Sequence, residues 1–166
     1  MANCCPITRV RAAKDLHPAL DAPVADQAPT PIFWTFAALI DAVESAVGME
    51  RDLSHAMSWD PAMSGFAEEA ESCWQECLRL AGDVLAAAPA SASDQPLQRM
   101  SMLLHFLIES TSADEALRFQ HLLESNHELF TAEDSVRQAA LRTAARQVNT
   151  LADLALSAAA KDCHPG

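Results

Sequence analysis

Two segments of the chain place an acid three residues ahead of a histidine, Asp52-Leu-Ser-His55 and Glu124-Ser-Asn-His127. On a helix that spacing sets carboxylate and imidazole on one side, as in bundles that hold two iron or manganese ions. Glu50 adds a further oxygen donor if the helix before it runs unbroken through Gly48. Glu50, Asp52, His55, Glu124 and His127 are therefore the candidate metal ligands. The pattern is weak by itself, because six histidines and 23 acids in 166 positions give about 0.8 such pairs by chance. A dinuclear site also needs an inward acid from each of two further helices, and the other apolar faces carry none. Capped or solvated polar groups are the expected outcome, with no cofactor.

Other reactive pairs have similarly local explanations. His105 and Glu109 are one helical turn apart, suited to a hydrogen bond at the edge of a core, and no nucleophile accompanies them. Cys73 and Cys77 flank Trp74 on what reads as a buried apolar face, where a thiol's pKa rises and its reactivity falls. Cys4 and Cys5 lie in a segment where exposed thiols are open to oxidation or modification. Five cysteines without a repeated ligand spacing argue against a disulfide framework or a zinc finger. Four glycines in the whole chain leave no glycine-rich phosphate loop, nucleophile elbow or dinucleotide fingerprint. Catalysis is the less economical reading.

Charge supplies the stronger signal. The chain carries 23 acidic and 11 basic side chains, a net charge of −12, which opposes direct binding to nucleic acid. The excess is localised: residues 32–88 hold two bases and ten acids, residues 89–130 two and six, and the remainder is neutral. Glu68, Glu69, Glu71, Glu76 and Asp83 fall on one side of a single amphipathic segment, and they are the candidate contacts for a protein partner with a basic surface. The same charge also serves plain solubility, or imitation of nucleic acid toward a protein that binds it. Phe33, Trp34 and Trp59 are expected to cap the core rather than anchor a partner.

The elements that must position these residues are helical. Residues 1–31 hold five of the nine prolines and read as a flexible arm. Thr30-Pro31 is an N-cap followed by proline at the first helical position, and Ile32, Phe36, Leu39, Ile40, Val43 and Val47 then recur at helical spacing. Asp60-Pro61 opens a second helix over about residues 61–88, with Phe66, Cys73, Cys77, Val84 and Leu85 on its inner face. The proline-bounded stretch 89–96 reads as a loop between two helical hairpins. A third helix from Leu97 is apolar nearly all round and is expected to be the most buried. Ser112 with Glu115, and Thr131 with Asp134, have the spacing of capping boxes opening a fourth and a fifth helix. The fifth carries Leu141, Ala144, Val148 and Leu151 inward and presents Arg137, Arg142 and Arg146 to the acidic surface of the other helices.

The fold expected is all-α, a single bundle of four to five amphipathic helices over residues 32–160, with a disordered N-terminal arm (1–31) and a short tail (161–166). No stretch of 18 uninterrupted apolar residues occurs and the N-terminus lacks the apolar core of a secretory signal, so a cytoplasmic protein without a membrane span is expected. Export by a route that reads an unfolded N-terminal signal is the alternative. The function expected is that of a regulator or adaptor acting through protein–protein contacts; a carboxylate/histidine metalloprotein is the second reading.

Overall fold

The proline and threonine that open the first helix meet that expectation in detail. In the computed structural model, which describes residues 28–55 and 64–162 apart from the side chains of residues 54, 55, 64, 161 and 162, α1 runs from Pro31 to His55. Thr30 Oγ1 accepts the Phe33 amide at 3.3 Å and so satisfies one of the free N–H groups of the first turn. The helix continues through Gly48, which is helical and exposed. By length and composition, Pro31–Leu53 is also apolar enough to cross a membrane; 44% of its 18-residue apolar window is buried inside the bundle. The arm as far as residue 27, Cys4, Cys5, Trp59, the Asp60-Pro61 cap and residues 163–166 of the tail lie outside the described residues.

Four more α-helices follow among the described residues: α2 Ser64–Ala86, α3 Gln95–Glu109, α4 Ala113–Ser125 and α5 Ser135–Asp162. Short 3-10 turns at Ala92–Asp94 and His127–Phe130 precede α3 and α5. The fold is an all-α bundle. α1 packs on α2 and α5, α2 also on α3, and α3 on α5, which closes a four-helix core; α4 lies chiefly against α5. Side-chain contacts at Thr30–Asp94 and Asp94–Arg137 bring the starts of α1, α3 and α5 to one end, so these three run parallel. α2 runs the other way, since Gln98 near the start of α3 donates to the carbonyls of Val84 and Ala87 near the end of α2.

The core is the sum of the apolar stripes. Phe36, Leu39, Val43, Leu97, Leu104 and Val148 are fully enclosed, and burying a side chain of this size contributes about 1.5–3 kcal/mol. Ala144 and Ala152 on α5 are equally enclosed, their small size allowing close approach of neighbouring helices.

Several local expectations are corrected. α3 is not buried all round, because Met102 and Phe106 face outward, with the Phe106 ring stacked on Phe119 of α4 at 6.1 Å. Even so, α3 is the most buried of the described helices, as expected, with seven of its 15 residues buried. Trp34 is 62% exposed, edge-on to the buried ring of Phe33, so of these two only Phe33 caps the core. Phe66 and Leu85 are exposed although in phase with the inner face of α2. Neither capping box closes: Glu115 is engaged by the hydroxyl of Ser110 instead, and α5 is capped by Asp134, whose Oδ1 accepts the Arg137 amide at 2.8 Å. The loop 89–96 already contains a 3-10 turn and the first residues of α3.

Candidate functional site

Charged side chains gather at two places in the bundle, one sealed and one open. The sealed one is at the end where α1, α3 and α5 begin. Arg137 is 1% exposed, Asp94 0% and Asp134 6%. Arg137 Nη1 donates to Asp134 Oδ2 at 3.2 Å, and its Nε lies 3.5 Å from Asp94 Oδ1. Asp94 accepts three hydrogen bonds, from Thr30 Oγ1 at 2.7 Å and from the amides of Ala90 and Ser91 at 2.9 and 3.2 Å. The guanidinium carbon stands 6.0 Å from the Phe33 ring centre, and neither Nε nor Nη2 makes a hydrogen bond. The buried cluster joins the start of α1, the loop before α3 and the start of α5.

The sequence reading set Arg137 against the acidic surface of the other helices and Asp94 in a loop, and so missed this cluster. The signal was present in the phase of α5: Arg137 precedes Leu141, Ala144 and Val148 by steps of four, three and four, which makes it a member of the inner stripe.

The open place is a groove of about 560 Å³ at the opposite end. Trp74 and Leu78 of α2, Ile108 of α3, and Leu154 and Ala155 of α5 supply apolar wall, while Glu50 of α1 and Glu71 of α2 supply carboxylates. Gln75 Nε2 donates to Glu71 Oε1 at 2.8 Å and steadies that side chain. The groove has a topological cause: α3 has 15 residues, against 25, 23 and 28 in α1, α2 and α5. At Ser110 the backbone turns extended, at φ −66° and ψ 129°, and leaves the bundle axis. Side chains that a longer α3 would cover are left facing an opening.

Of the acids proposed for partner binding, Glu71 lines the groove and the others are spread along α2, Asp83 toward the sealed end. Glu68, Glu69, Glu71, Glu76 and Asp83 are all exposed on α2. Arg79 is clasped between Glu76 and Asp83. Its hydrogen bonds hold Glu76 below the ordinary carboxylate value and raise the guanidinium in turn. Five carboxylates against this single base leave the face negative.

The four described metal-ligand candidates do not converge. Glu50 and Asp52 are exposed near the end of α1, Glu50 in the large groove and Asp52 in a smaller cleft of about 300 Å³ with Met49, Leu53 and Phe66. Glu124 and His127 belong to the other end of the bundle, where Arg99 near the start of α3 reaches the Leu129 carbonyl. α4 stops at Ser125, so His127 stands on a separate turn, its side chain 79% exposed and 3.5 Å from Glu128. The imidazole of His55 is outside the described residues. Among the described residues no three histidine, cysteine or acidic side chains gather as a metal would require. His105 and Glu109 form the local pair expected, 3.4 Å apart.

Cys77 is fully buried, and burial, reinforced by the neighbouring Cys73 and Glu76, pushes its thiol up to about 12. Cys73 is half-buried, its sulfur 3.5 Å from that of Met49. The comparisons add no identity: the chain matches no protein-family model, no curated protein and no solved structure.

Proposed function

We propose that this protein is a regulator or adaptor that works by binding a protein with a basic surface through the exposed acidic face of α2. The observation that carries the reading is the density of unneutralised charge there: Glu68, Glu69 and Glu71 within one helical turn, with Arg79 already occupied by Glu76 and Asp83. Such a face accelerates encounter with a positive partner and loses its pull as salt screens it. It gains nothing from catalytic groups.

The test compares capture by the wild-type chain with capture by a variant carrying Glu68→Gln, Glu69→Gln, Glu76→Gln and Asp83→Asn. A basic protein retained at low salt, released when the Debye length falls to about 3 Å near 1 M salt, and not retained by the variant is the expected result. Equal retention by both proteins, or retention indifferent to salt, sinks the reading.

A further inference from the structure

The groove beyond Ser110 has the dimensions of a missing piece of helix. Gln98 is level with Val84 and Ala87, so Trp74 of α2, antiparallel to α3, falls level with the last turn of α3. Arg137 is level with Asp94, so Leu151 of the parallel α5 falls at the same height. From there α2 and α5 each run on for about ten residues, ~15 Å at 1.5 Å per residue. Between them lies one column of the bundle with walls and no occupant among the described residues. On the α5 side the wall includes Ala155, Ser157 and Ala158, small enough for another backbone to approach closely. Its charge is one-signed: Glu50 and Glu71 are present, and the described lining has no lysine or arginine.

We propose that this groove receives an amphipathic helix of a partner protein, of about ten residues. Its apolar side chains at i, i+3, i+4 and i+7 lie on Trp74, Leu78, Ile108 and Leu154, and a flanking lysine or arginine meets Glu50 and Glu71. The helix completes the column that α3 abandons. The inference rests on the binding role given to the acidic side of α2 and names the part of the partner that is held. Encounter belongs to the outward carboxylates, whose loss slows association; retention belongs to the groove, whose loss speeds dissociation.

The test uses the full chain and a fluorescent peptide of about fourteen residues, with leucines at i, i+3, i+4 and i+7 and lysines on the other face. Saturable binding is expected, weakened at least about tenfold by Ala158→Trp, which fills the groove from an exposed position, and by Glu50→Lys combined with Glu71→Lys. Circular dichroism confirms that each variant folds. Glu68→Lys with Asp83→Lys is expected to slow association and leave dissociation unchanged. Five results overturn the groove: no binding; equal binding of a peptide with glutamates for lysines; indifference to Ala158→Trp or to the Glu50/Glu71 reversals; binding that appears only after residues 1–27 are removed; or a dimer of the chain that Ala158→Trp dissolves. Indifference to Ala158→Trp with retained sensitivity to salt and to the outward reversals defeats the groove alone and leaves the acidic-face reading standing.

Discussion

Arg137 on α5 and Asp94 before α3 face each other at 3.5 Å, Nε to Oδ1, in a setting that excludes water from both. Desolvating two such groups is costly, and their attraction offsets that cost only while every partner stays in place. Arg137→Ala removes the cation and leaves Asp94 and Asp134 buried without it. The expected loss is about 3–5 kcal/mol, read as a shifted urea midpoint. A loss under about 1 kcal/mol would place the two carboxylates in water and refute the sealed cluster.

Thr30 reaches the same cluster from the other side. Its hydroxyl donates to Asp94 and accepts the Phe33 amide, so one side chain both caps α1 and completes the acceptor shell of the buried acid. Thr30→Val keeps the shape and removes both bonds, for an expected loss of about 1–3 kcal/mol. Thr30→Ser retains both and is expected to melt within a few degrees of wild type. Thermal unfolding of the two variants decides the matter; equal melting temperatures would detach Thr30 from the cluster.

Helices were legible in the sequence wherever an apolar stripe was long. Phe36, Leu39 and Val43 on α1, and Leu141, Ala144 and Val148 on α5, announce their inner faces by spacing alone, and the structure buries all six. Caps were less legible, because Glu115 and Asp134 each had a competitor that spacing does not rank. Ser110 takes Glu115, and Arg137 takes Asp134. Phe66, Leu85 and Phe106 show a second limit: a helix can be apolar over more of its circumference than its neighbours cover. The acidic side of α2 follows from periodicity, whereas the groove depends on α3 being shorter than its neighbours, a relation among helices that no single segment contains.

Trp34 and Phe36 provide a matched contrast of surface and core within one turn of α1. Phe36 is fully enclosed and Trp34 is 62% exposed. Phe36→Ala is expected to cost about 3–5 kcal/mol, part transfer and part cavity. Trp34→Ala is expected to change stability by no more than about 0.5–1 kcal/mol, the remainder of its edge contact with Phe33. Chemical denaturation of both variants checks this; a large loss for Trp34→Ala would mean that the ring is covered by something in solution.

Cys77 links burial to pH. Its thiol is raised from 9.0 to about 12, first by burial and then by Cys73 and Glu76. Well below pH 9 the thiol is neutral whether the chain is folded or not. Between 9 and 12 the unfolded chain loses this proton while the folded chain keeps it, so the contribution is fully present below the unfolded value and lost as pH rises through the folded one. Stability should therefore fall more steeply over that window in wild type than in Cys77→Ala, whatever the baseline cost of the smaller side chain. Reactivity offers a second readout. At pH 8 a thiol at about 12 is ionised about once in 10⁴, against about one in ten for a thiol at 9.0, so alkylation of Cys77 in the folded protein should be about a thousandfold slower than in urea. Peptide mass spectrometry after a timed iodoacetamide pulse measures it, and rapid labelling of Cys77 in the folded chain would show that α2 does not hold this sulfur in the core.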